Sequence, residues 1–194
     1  KISFYKLITS TILMLIVLFF IRIVGSLFLP YLPLFVQEQR GIIEGSSKIT
    51  GSINGFAMLM AALAGIVLGK LGEKYDKYNI ILISAGIGVI ISLVLLFSNN
   101  LLFFAVIFGL MMFTMGGIEP LILSISGSKI PTQQRGTYFG IVGMVGALGW
   151  AISPVIAGQV SIEYDIESIL VLIPILLTMI FLLTFFAKMR TKNT

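Results

Sequence analysis

The chain has 194 residues, of which 58% are hydrophobic and 11% charged, with a mean hydropathy of +1.09 and a formal net charge of +5. A water-soluble domain of this size does not present so much apolar surface to solvent. With neither cysteine nor histidine, the chain also lacks the parts for disulfides, zinc sites, thiol nucleophiles and imidazole acid–base chemistry, so it is not expected to be an enzyme or to carry a metal or organic cofactor.

Six apolar stretches follow one another, at about residues 7–36, 53–71, 79–97, 101–126, 137–160 and 169–187. At about 1.5 Å per residue each is long enough to cross a hydrocarbon core of about 30 Å. In lipid the backbone must satisfy its own hydrogen bonds, and apolar runs without polar alternation suit helices rather than barrel strands. The expected fold is all-α: a polytopic membrane protein whose residues 1–194 form one six-helix transmembrane domain, with the lipid bilayer as its first partner.

The first stretch follows Lys1 and Lys6 as the core of a secretory leader would, but it is too long and lacks a small-residue cleavage site. It reads as a mature helix, in a chain whose opening Lys suggests a fragment or a processed product. Arg22 lies near its middle, and Pro30 and Pro33 near its outer end. The longest connection is expected over residues 37–51, where Gly41, Gly45, Ser46 and Ser47 suit a solvated, flexible connector. The second stretch carries small residues at Gly51, Gly55, Ala62 and Gly69, and residues 98–100 read as a tight turn. The fourth contains Glu119 followed by Pro120, and residues 131–136 form the next turn.

In the fifth stretch Gly136, Gly140, Gly143, Ala147, Ala151, Pro154 and Gly158 recur at spacings of three or four, with Gly149 one position outside the series. One stripe of that helix is nearly free of side chains, and another helix is expected to pack on it, since small residues let backbones approach in lipid. Pro154 also offers a point of bending. Trp150 reads as a packing wedge beside the glycines, or as an aromatic for stacking on substrate.

The cations sort onto alternate connections. Lys1, Lys6, Lys70, Lys74, Lys77, Lys129, Arg135, Lys188, Arg190 and Lys192, ten of the 13, fall on the two tails and the even loops. The fifth loop carries Glu163, Asp165 and Glu167 instead. The positive charge therefore sets topology rather than nucleic-acid binding, and by the positive-inside rule both termini are expected to be cytoplasmic, in a plasma (inner) membrane.

The segment Gly69, Lys70, Leu71, Gly72, Glu73, Lys74, Tyr75, Asp76, Lys77 resembles the loop signature G-x-L-[AG]-[DE]-[RK]-x-G-[RK] of the major facilitator superfamily, with Asp76 in place of the second glycine. It falls between the second and third helices, where that family carries it. Gly149, Ser153, Pro154, Ala157 and Gly158 resemble the motif g-x-x-x-G-P-x-x-G-G found in the fifth helix of drug/proton antiporters of that superfamily. The resemblance implies one six-helix half of a transporter built from two such halves around a central cavity. Met112 stands where a first half carries arginine in its fourth helix, and with the degenerate loop signature and the end at Thr194 this points to the C-terminal half. The other six-helix half, normally in the same chain, is then a partner, together with a small-molecule substrate.

Arg22 and Glu119 are ionisable residues within spans, and burying such a charge unpaired costs at least about 2.5 to 3.5 kcal/mol on insertion scales. In the resembled fold the first and fourth helices line the cavity. An axial offset of about 9 Å separates the two positions, much of which a long arginine side chain covers. The pair reads as a switchable acid with its electrostatic control, or as a static tie. Met112, Met115 and Gly116 share the face of Glu119, Gly25 and Ser26 that of Arg22, and Asn54 with Met58 lies on the second helix. Together they suggest an adaptable substrate and proton pathway.

A cytoplasmic gate is expected from Gly69, Leu71, Glu73, Lys74 and Arg135, with Glu73 reaching the start of the fifth helix and pairing with Arg135. The resulting expectation is secondary active transport by alternating access, with proton-coupled efflux of small amphipathic or drug-like molecules. The alternatives are export of sugars, siderophores or other metabolites, and a membrane scaffold that transports nothing.

Overall fold

The computed structural model describes residues 4–41, 43–128 and 130–192. Lys1, Lys129 and Thr194 lie outside the described residues, as do the side chains of Lys6 and Lys192. Eight α-helices form within them: α1 (Phe4–Leu27), α2 (Leu32–Arg40), α3 (Ser46–Lys74), α4 (Lys77–Leu95), α5 (Leu101–Gly116), α6 (Ile118–Gly127), α7 (Arg135–Glu163) and α8 (Ile169–Lys192). With α1 continuing into α2 and α5 into α6, six helical runs are long and apolar enough to cross a membrane: Thr11–Arg40, Ser46–Lys74, Lys77–Leu95, Leu101–Gly127, Thr132–Glu163 and Ile166–Arg190. The chain is an all-α, six-helix membrane protein.

Proline breaks the first and fourth spans. α1 stops at Leu27 and α2 begins at Leu32, because Pro30 disfavours helical geometry in the residue before it, while Pro33 is tolerated in the first turn of α2. In the fourth span Pro120 offers no amide to Gly116, and the helix is interrupted at Gly117. The interruption is wedged against α3. A Cβ on Gly116 would stand 2.3 Å from the Ala61 carbonyl oxygen, and one on Gly117 would stand 2.4 Å from the Leu68 Cβ.

The polar connection expected over residues 37–51 is mostly helix. α2 runs on to Arg40, where Gly41 closes it in the left-handed conformation (φ +65°) with its N–H on the Gln37 carbonyl at 2.9 Å, and α3 begins at Ser46 after Gly45 (φ +76°). Two glycines at positive φ make a short connection sufficient. Asp76 N-caps α4, its side chain accepting from Tyr78 N at 2.8 Å, and Asn100 caps α5 in the same way through Leu102 N.

α3 lies along α5, α4 along α8, and α1 along α7 and α8. The apolar core between them includes a ring cluster of Phe28, Phe35, Phe104 and Phe108, with Phe35 and Phe104 centroids 4.5 Å apart. The first span is tied to α7 by polar contacts as well: Ser153 Oγ donates to the Ile23 carbonyl of α1 at 2.9 Å, and Tyr31 OH, from the residue before α2, to the Pro154 carbonyl at 3.3 Å. α3 and α7 bury the least within the chain, 22% of their apolar windows against 56% for the first span.

Candidate functional site

Arg22 on α1 and Glu119 on α6 form an ion pair, Arg22 Nη2 donating to Glu119 Oε1, and no other salt bridge forms among the described residues. The helix break places Glu119 in the first turn of α6, where the exposed amides of a helix start favour an anion. The two side chains remain 41% and 29% exposed, so the pair is open on a side that these six helices do not cover.

Arg22 reaches Glu119 by lying across glycine. A Cβ on Gly146 would stand 3.4 Å from Arg22 Nε, and one on Gly149 would stand 3.0 Å from the Arg22 Cβ. Arg22 Nε is buried with no hydrogen-bond partner, held against α7 where only backbone faces it. Gly146 lies outside the expected small-residue stripe. The signal available was its spacing from Gly149, Ser153 and Ala157, which with Tyr138 make up the buried residues of α7.

That face corrects the small-residue stripe. Gly136, Gly140 and Gly143 are exposed with nothing within 4 Å of an added Cβ, and Ala147 and Ala151 are exposed too. Among the described residues no helix packs on them. Gly149 does meet α1, and Gly158 makes room for Tyr31, whose hydroxyl would stand 2.9 Å from a Cβ there. Pro154 sits between these contacts inside α7. Trp150 points outward at 59% exposure and is not a wedge within this chain, since one residue along a helix turns the side chain about 100° away from the Gly149 contact.

The expected pocket residues separate. Met112 and Met115 are buried in the apolar core, because α5 turns that face inward, and Gly116 meets Ala61. Asn54 and Met58 lie on the exposed face of α3. The structure therefore brings Arg22 and Glu119 together and leaves Met112 and Met115 as packing.

At the other end, the loop signature is mainly helical: α3 continues through Gly69, Leu71 and Glu73 to Lys74. Gly69 has open space around it, Leu71 and Glu73 are exposed, and Lys74 lies over the Tyr75 ring at 5.5 Å. The expected Glu73–Arg135 pair does not form. Arg135 Nε instead donates to the Ile130 carbonyl in its own loop at 3.4 Å. The contacts that do tie this segment to the fourth span are Gly72, whose Cβ would stand 2.3 Å from Leu121 Cδ2, and Lys77, whose Nζ donates to Ser124 Oγ at 2.6 Å.

A family model described as Major Facilitator Superfamily matches residues 14–194. Among curated proteins, the chain is similar to the multidrug resistance protein MdtG of Salmonella typhi, 26% identical over 164 residues, which cover 83% of this chain and 40% of that protein. It is similar also to the multi-drug resistance efflux pump PmrA homolog of Lactococcus lactis, 26% identical over 148 residues, covering 76% of this chain and 36% of that protein. The chain thus spans about 40% of the length of these relatives.

Proposed function

Because the chain belongs to the Major Facilitator Superfamily, we propose that it is one six-helix half, the C-terminal one, of a secondary transporter that exports small amphipathic molecules in exchange for protons. The observation that carries this reading is the Arg22–Glu119 pair, an ionised couple between two spans that stays partly open on one side. Charges within spans are costly unless they face protein or a water-filled path, and they mark ion and substrate routes. The printed names of two relatives, a multidrug resistance protein and an efflux pump, support drug-like cargo.

In this reading substrate binds near the bilayer midplane between the two halves, and rocking of one half against the other opens the site to each side in turn. A proton on Glu119 neutralises the partner of Arg22 and loosens α1 from α6. Conformations that hold the proton with different affinity are then shifted by the gradient. The exposed small-residue face of α7 and the outer face of α3 receive the other half. Glu73 and Arg135, apart here, meet when the cytoplasmic ends close, and both termini lie in the cytoplasm of a cell whose plasma membrane holds the protein.

The test is dye export from proteoliposomes under an imposed pH gradient, with the chain alone and with the chain co-reconstituted with the other six-helix half. Export is expected only with both halves and only with the gradient. Robust gradient-driven export by the chain alone would overturn the half-transporter reading, and gradient-independent export by the pair would overturn proton coupling.

A further inference from the structure

A second recess lies away from the ion pair. α3 and α4 both pack on α5 but touch each other little, and between them a cleft of about 550 Å³ opens on the outer surface of the bundle. Its mouth is polar, formed by Tyr75, Asp76 and Asn79 at the α3–α4 connection, and the rest is apolar, running past Ile83 and Ile87 to Ile91. From Asp76 to Ile91 this is about 22 Å along α4, somewhat more than the thickness of one leaflet, about 15 Å of a 30 Å core. Ser84 and Thr114 line it too, but the Thr114 hydroxyl is already committed to the Met111 carbonyl at 2.7 Å.

The charges at the mouth favour an anion. Lys188 on α8 donates to Asn79 Oδ1 and keeps two further N–H donors, and Lys74 stands over the Tyr75 ring. The start of α4 adds the positive end of a 19-residue helix. Against these stands Asp76, whose carboxylate is engaged by the Tyr78 amide as the helix cap. Neither ammonium group is part of the cleft wall, but each is held on a residue that is, Lys188 on Asn79 and Lys74 on Tyr75, beside the polar end of the apolar channel.

We propose that this cleft is a binding site for an anionic glycerophospholipid, with its phosphate between Lys74 and Lys188 and one acyl chain lying along α4. Basic recesses between spans at the membrane surface hold acidic headgroups in this way. The proposal does not depend on what the protein transports, and the groups it uses belong to this chain's own α3, α4, α5 and α8.

The experiment is native mass spectrometry of the full chain, titrated with phosphatidylglycerol or with phosphatidylcholine bearing the same acyl chains. One phosphatidylglycerol is expected to bind in preference to phosphatidylcholine. Lys74→Gln and Lys188→Gln should each weaken phosphatidylglycerol binding about fivefold and leave phosphatidylcholine unchanged. Ile87→Trp, which fills the channel without touching its mouth, should weaken both lipids, with circular dichroism confirming that the helices persist. Equal binding of the two lipids by the wild type, or phosphatidylglycerol binding that survives Ile87→Trp, would overturn the proposal and leave only unspecific annular lipid or attraction to scattered surface lysines.

Discussion

Gly149 of α7 sits beneath Arg22 of α1: a Cβ there would stand 3.0 Å from the Arg22 Cβ and 2.7 Å from the Phe19 carbonyl oxygen. The second contact is with backbone, so an added methyl is accommodated only if the two helices separate. The same separation shifts the base of the side chain that reaches Glu119.

Gly149→Ala should therefore destabilise the chain by about 1–3 kcal/mol, the usual cost of overpacking, read as a lower midpoint of thermal unfolding in detergent. An unchanged midpoint would mean that α1 and α7 do not pack this closely.

Gly143→Ala offers the contrast, since nothing lies within 4 Å of an added Cβ there. In the chain alone the substitution is expected to be neutral or to stabilise by up to about 1 kcal/mol, since Gly143 is inside α7 and alanine is the better helix former. In the assembled pair of halves the same substitution should weaken co-purification of the partner. Loss of stability in the isolated chain would show that α7 is packed there by its own neighbours.

The ion pair itself can be isolated by a double-mutant cycle of Arg22→Ala and Glu119→Gln. Removing either partner leaves a charge uncompensated within a span, whereas removing both does not. The coupling should fall in the lower part of the range of about 0.5–3 kcal/mol found for contacting residues, since both side chains are partly open to solvent. In the complete transporter, Glu119→Gln should abolish proton-driven export while leaving downhill movement of neutral substrate. Intact proton coupling in that variant would move the coupling acid to the other half.

Orientation is accessible because the chain has no native cysteine. A cysteine at Asn99, between α4 and α5, should react with an impermeant thiol reagent applied to intact cells. One at Gln133, before α7, should react only after the membrane is opened. The reverse pattern would invert the topology.

Much of this architecture is legible in the sequence, and the parts that are not have identifiable reasons. Arg22 and Glu119 stand out because an apolar medium leaves few ways to accommodate a charge, and a partner is the cheapest. Pro30 and Pro120 lie at the two breaks, yet by hydropathy each of those spans reads as one continuous stretch. The helical ends at residues 37–40 and 46–51 are invisible to hydropathy, which stops where polarity begins, while the hydrogen-bond ladder continues into the headgroup region until Gly41 ends it. On α7 two sets of small residues run side by side, one through Gly136, Gly140 and Gly143, the other through Gly146, Gly149 and Ser153. Spacing defines both faces but cannot choose which meets α1. That choice depends on Tyr138 and Ser153, whose burial is a tertiary fact. Met112 and Met115 fail as pocket residues for a related reason: a soft, unbranched side chain fills a core as readily as it lines a cavity.

The interruption at Gly117 divides the fourth span into rods of 16 and 10 residues. A continuous helix absorbs a sideways push as gentle curvature spread over many turns. Here Pro120 has already removed a rung, and Gly116 and Gly117 are pinned against Ala61 and Leu68. The pinned joint is a fulcrum. A displacement at Glu119, just beyond it, would be carried along the short rod toward Ser124, which holds Lys77. One short rod thus links the ion pair between spans to the α3–α4 connection.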